Sequence, residues 1–122
     1  MNPVYPQFDT IETSVSEAGN AQLTFSFTLA PETIYLQGHF PTAPILPGVT
    51  QLDWAIQLAA EHWGMATTVK TIEVLKFNDM ILPKAHVTLT LERKRENCVI
   101  FRYANSQQSF SSGRLIYEAT NA

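Results

Sequence analysis

Pro41, Pro44 and Pro47 stand three residues apart, and the chain then runs from Gly48 to Trp63 without another proline. Each proline fixes its own φ near about −65° and drives the residue before it toward extended backbone. No helix can therefore begin before Pro47, and the pattern predicts one that opens at Gly48. The run is rich in Leu, Ile, Ala, Gln and Trp, and Gly64 stands where a left-handed C-terminal cap would close it. Just upstream, the stiffened segment carries Gly38, His39 and Phe40. A rigid turn that presents a histidine and then opens a helix is a costly way to achieve packing alone. It reads as a site.

Along the predicted helix the i, i+3, i+4, i+7 stripe is Val49, Leu52, Asp53, Ile56, Ala60 and Trp63, while Trp54, Ala55 and Leu58 take another side. A helix apolar nearly all round is expected to be buried. Asp53 is then expected on an apolar stripe, where a carboxylate is expensive. Gln57, one turn on, is placed to hydrogen-bond it.

The rest of the chain reads as strands. Leu23, Phe25, Phe27 and Leu29 alternate with Gln22, Thr24, Ser26 and Thr28, the cleanest period of two in the sequence. Ile11, Thr13 and Val15 suggest a strand before it that ends near the turn pair Gly19-Asn20. After the helix come four more candidates, Lys70 to Phe77, His86 to Glu92, Cys98 to Tyr103 and Ser109 to Tyr117. Polar connections at Arg93 to Asn97 and Asn105 to Gln108 separate the last three. One helix followed by an antiparallel meander is an α+β layer fold, expected to occupy residues 1–122 as a single domain.

Composition excludes several classes. An apolar fraction of 45% and a charged fraction of 16% belong to a globular chain. No run approaches the roughly 18 apolar residues of a membrane span, and the start lacks a basic region with a long apolar stretch, so a cytoplasmic protein is expected. Cys98 is alone, which removes disulfide frameworks and cysteine zinc sites, and beside Val99 and Ile100 it reads as a core thiol. The first 69 residues hold six acids and no base, while the remainder hold five acids and eight bases. A net charge of −3 argues against nucleic acid as the main partner. A local basic face could receive a small acidic protein or a phosphate, or could be a solvated strand face.

The unit Gly38-His39-Phe40-Pro41-x-x-Pro44-x-x-Pro47-Gly48-Val49, with Asp53 and Gln57 after it, closely resembles the 3-hydroxyacyl-carrier-protein dehydratases FabA and FabZ. Lys76-Phe77 and Pro83 extend the resemblance, which covers roughly Tyr35 to Leu91. Asp53 matches FabA, where FabZ has glutamate, and Val49 matches FabZ. The phrase from Pro44 to Ala55 is most similar to the small ApeI dehydratases of aryl polyene pathways. The resemblance implies a hotdog fold, an antiparallel sheet wrapped around one long central helix, forming dimers whose two sites are shared across the interface. His39 and Asp53, fourteen positions apart, would then meet in trans.

By the same resemblance the reaction is dehydration of a (3R)-hydroxyacyl thioester on an acyl carrier protein to the trans-2-enoyl form, without metal or other cofactor. His39 would be the base, a role suited to an imidazole of pKa about 6.5. Asp53 would protonate the leaving hydroxyl, for which burial must raise a pKa ordinarily about 3.9. Gly48 N–H, at the positive end of the helix, would polarise the carbonyl. Gln57, as support for Asp53, together with Phe40 and Val49, would complete the substrate-binding surface. Lys70, Lys76, Arg93 or Lys94 could meet an acidic carrier. His62 and His86 read as surface or packing residues, and Trp54 and Trp63 as core or interface. The rival readings are a hotdog thioesterase and a non-catalytic acyl-binding or partner subunit.

Overall fold

A computed structural model describes residues 5–30 and 45–118. They form six strands and one helix. These are β1 (Phe8–Val15), β2 (Ala21–Thr28), α1 (Gly48–Trp63), β3 (Thr71–Phe77), β4 (His86–Arg95), β5 (Cys98–Ala104) and β6 (Ser109–Ile116). The strands make one antiparallel sheet in the order β1-β2-β4-β5-β6-β3. One long helix on an antiparallel sheet is the hotdog arrangement that the motif implied.

The alternation read from the sequence sets which strand face is buried. Leu23, Phe25 and Phe27 of β2 stand opposite Leu91, Leu89 and Val87 of β4, and all six are buried. Leu89 and Leu91 in turn face Tyr103 and Phe101 of β5. The Trp54 ring of α1 meets Phe27 edge-on, with centroids 5.8 Å apart. This layer is the core, and Cys98 lies buried at its edge as a free thiol.

Hydrogen bonds fix the connections. Ser16 Oγ and Asn20 Nδ2 both donate to Glu92 Oε2, at 2.9 and 2.8 Å, which ties the β1–β2 turn to β4. Asn105 Oδ1 accepts from the amides of Gln107 and Gln108 at 2.8 and 2.9 Å and closes the β5–β6 turn. β4 runs to Arg95, further than its alternation suggests, through a register shift between Arg93 and Arg95. Gly64 ends α1 in the left-handed region at φ 67°, its N–H donating to Ala60 O at 3.0 Å.

The edge strand β3 carries the structural irregularity that matters most for the site. Its register with β6 shifts between Glu73 and Lys76, where Val74 sits at φ 52°. A β-branched residue there is a true outlier, costing on the order of 1–3 kcal/mol. In a regular strand that begins with Ile72 against the core, Phe77 would face the opposite side. The extra residue reverses that parity and puts Phe77 opposite buried Ser111.

The expectation that α1 is buried all round needs correction. Only Thr50, Gln51, Trp54, Ala55, Leu58 and Ala59 are buried, the face laid on the sheet. Of the stripe read from the sequence, Leu52, Ile56 and Trp63 are partly buried against the core while Val49 and Asp53 are exposed, because one sheet can cover only one face of a helix. No described helix is long and apolar enough to cross a membrane.

Candidate active site

The N-terminus of α1 carries no side-chain cap among the described residues. Pro47, at φ −63° and ψ 148°, is its N-cap residue and offers no capping side chain, and the first turn holds no acid. The amides of Thr50 and Gln51 both donate to Pro47 O at 3.1 Å. Those of Gly48 and Val49 have no acceptor among the described residues. Two donors at the positive end of a helix are what a developing oxyanion requires. Gly48 and Phe77 are in close contact here: a Cβ at residue 48 would lie 2.7 Å from Phe77 Cζ and 2.8 Å from Cε1, so the ring would have to move aside. The β3 irregularity thus delivers an aromatic ring to the helix start.

Asp53 is exposed, on the side of α1 turned away from the sheet. Val49 shares that side and is 71% exposed. The burial expected of Asp53 is therefore not supplied by the described residues. Gln57 is half-buried, and among the described residues no hydrogen bond joins it to Asp53. Both side chains project outward, where each can be solvated separately. His39 and Phe40 lie outside the described residues.

One buried polar group was missed by sequence reasoning. Gln51 is 3% exposed, in the middle of the apolar face. Its Nε2 donates to Leu46 O at 3.0 Å, and its Oε1 accepts from Ser111 Oγ at 2.6 Å. Its backbone carbonyl accepts from Tyr103 Oη at 2.7 Å. Burial, reinforced by the charge of Asp53, holds the Tyr103 phenol well above its ordinary range, so it remains a donor. A glutamine among Leu, Trp and Ala on a core-facing helix was the available signal.

The four basic residues do not form one patch. Lys70 and Arg93 line a cavity of about 560 Å³ beyond the C-terminal end of α1, with Met65, Asn97 and Tyr117. Lys76 stands at the far end of β3, opposite Ser112, and Lys94 is exposed near the end of β4. His62 is exposed with its ring against Phe25, His86 is exposed, and Trp54 is core.

Comparison with known proteins agrees with this geometry. The ApeI-like family model, described as ApeI dehydratase, matches residues 14–114. A FabZ 3-hydroxyacyl-[acyl-carrier-protein] dehydratase from Novosphingobium aromaticivorans is 38% identical over 50% of this chain and 47% of its own. One from Erythrobacter litoralis is 33% identical over 57% and 52% respectively. The chain thus spans about half the length of these curated relatives. Among solved structures, a chain of the dehydratase heterocomplex ApeI:P from Xenorhabdus doucetiae superposes with a TM-score of 0.71 at 25% identity, covering 92% of this chain and 96% of that one. An uncharacterized protein from Erwinia carotovora subsp. atroseptica gives 0.69 at 28% identity, with 95% of each covered. With an uncapped helix start among the described residues, an outward Asp53 and a family match across most of its length, this chain belongs to the ApeI-like dehydratase family.

Proposed function

We propose that this protein dehydrates 3-hydroxyacyl thioesters carried on an acyl carrier protein, in fatty-acid-like or aryl polyene synthesis. The observation that carries the proposal is the pairing of the Gly48 and Val49 amides, which have no acceptor among the described residues, with an outward carboxylate on the same helix. In this reading the His39 imidazole takes the α-proton, and the electron pair moves toward the thioester carbonyl, where Gly48 N–H receives the developing charge. Asp53 gives a proton to the 3-hydroxyl, which leaves as water. The α-proton and hydroxide are all that the substrate loses, so the chemistry calls for no metal or redox partner. Each acid–base group would contribute about 10²- to 10⁴-fold, and the amide about 3 kcal/mol. Val49, Gln57 and Phe40 would border the acyl chain. Lys76 would meet the acidic carrier, in the cytoplasm.

The same reading requires a second subunit. Val49, Val74, Leu75, Phe77, Met80 and Leu82 are each 40–71% exposed, and three of them belong to the edge strand β3. An exposed apolar edge strand is a pairing surface. A second copy joined there would cover the outward side of α1, desolvate Asp53 and bring His39 to it. The likeness to a chain of the ApeI:P heterocomplex favours a second reading, in which the covering subunit is a different hotdog chain.

The test is to incubate the purified protein with a 3-hydroxyacyl carrier and follow the intact acyl carrier by mass. Loss of one water supports the proposal. Release of free carrier thiol would make the protein a thioesterase. An inert homodimer that gains activity only with a second hotdog chain would support the heteromeric reading, and inertness under both conditions would leave an acyl-binding role.

A further inference from the structure

We propose that Gln51 is a positioning residue, which locks the Leu46–Pro47–Gly48 turn so that the Gly48 amide is held toward the reacting carbonyl. The inference rests on the dehydratase reading of this site. A helix usually fixes its first turn through a capping side chain that accepts from the early amides. Pro47 cannot do so, and a cap would take up the Val49 or Thr50 amide beside the reacting carbonyl. The turn must therefore be held from its carbonyl side, leaving the amides free.

Gln51 does this. In the usual arrangement an apolar residue before the N-cap packs against one four residues into the helix. Here those two positions are Leu46 and Gln51, and the contact is a hydrogen bond, Gln51 Nε2 to Leu46 O at 3.0 Å. The same segment is held on its other side by Leu46 N–H donating to Ile81 O at 2.9 Å. Gln51 is itself anchored to two strands: Ser111 Oγ of β6 donates to its Oε1 at 2.6 Å, and Tyr103 Oη of β5 donates to its backbone carbonyl at 2.7 Å. Ser111 and Tyr103 are both fully buried. The turn is thus referenced to the centre of the sheet through a chain of short, directional bonds. Packing alone would be served by leucine or methionine, which need no partners, whereas a buried primary amide must find hydrogen bonds to avoid a desolvation cost. What the amide adds is fixed geometry one residue from the proline and two from Gly48. Displacements on the order of 1 Å in a catalytic group cost about 10²-fold in rate.

The donor acts most strongly on the charge that develops during reaction, so its misplacement falls on kcat rather than KM. In the 3-hydroxyacyl-carrier assay, Gln51→Leu is expected to lower kcat by about 10- to 100-fold and to leave KM within about threefold. Ser111→Ala, which removes one bond and little volume, is expected to move kcat in the same direction by a smaller factor, and it serves if Gln51→Leu fails to fold. The double variant Gln51→Leu/Ser111→Ala separates positioning from stability. Once the amide is gone the Ser111 hydroxyl is an orphan, and its removal should raise the unfolding midpoint above that of Gln51→Leu while kcat stays low. Activity that instead recovers in step with the midpoint, or Gln51→Leu and Ser111→Ala variants that keep wild-type kcat, would overturn the proposal. A wild-type protein that removes no water would overturn the dehydratase reading, and this inference with it.

Discussion

The Phe77 ring occupies the space that a side chain on residue 48 would need, with its Cζ 2.7 Å from where a Cβ would stand. Gly48 has no left-handed backbone to protect, so alanine is tolerable there as far as conformation goes. Phe77 is 50% exposed, and the atoms that would clash are at the far end of its ring, which can turn outward. Gly48→Ala should therefore keep its unfolding free energy within about 1 kcal/mol. Its dehydration rate should fall about 10²-fold or more, because the methyl group and the displaced ring block approach to the amide. Calorimetry and the acyl-carrier assay on the same preparation check both halves.

Val74 stands in the middle of the exposed edge strand, and lysine on such an edge discourages pairing. Val74→Lys is expected to weaken self-association at least about tenfold, equivalent to about 1.4 kcal/mol. The isolated chain should keep its unfolding midpoint at high dilution, since a 56% exposed side chain contributes little to the core. Sedimentation across a concentration series measures the change. Unaltered association would place the subunit interface elsewhere.

Tyr117 Oη is buried without a hydrogen-bond partner among the described residues. Burial pushes its phenol up from about 10 to about 12, so the folded chain keeps a proton that the unfolded chain loses first. That stabilisation is whole below about pH 10 and is lost as pH rises through about 12. Tyr117→Phe should flatten the decline in stability over this range. Near pH 7 it should leave the unfolding free energy unchanged or raise it by about 1 kcal/mol, because an unbonded polar group is removed. Urea unfolding of both proteins at several pH values checks the two expectations together. A loss of more than about 1 kcal/mol at neutral pH would show that the hydroxyl is bonded.

The limits of α1 were legible because proline and glycine act locally: Pro47 sets where α1 begins, and Gly64 supplies the left-handed cap. The β2, β4 and β5 alternation was legible for the same reason, since side-chain parity is a property of a strand by itself. The faces of α1 were not. Both sides carry apolar residues, and only the sheet decides that Trp54 and Leu58 turn inward while Val49 and Asp53 turn outward. β1 gave only a trace, because its residues after Phe8 are all exposed and show no inside to alternate with. The contact of Phe77 with Gly48 depends on an extra residue in β3, and that of Gln51 with Ser111 spans sixty positions. Neither relation leaves a periodic trace in the sequence.

The outward carboxylate of Asp53 is the part of the site on which the proposed chemistry turns. Its most direct test is Asp53→Asn, measured for water loss from a 3-hydroxyacyl carrier and for unfolding free energy. Because Asp53 is exposed in the single chain, the stability measured at high dilution, where subunits are apart, should stay within about 0.5 kcal/mol of wild type. The rate should fall by about 10²- to 10⁴-fold, the worth of a positioned general acid. A variant that is stable and still removes water at the wild-type rate would contradict the account.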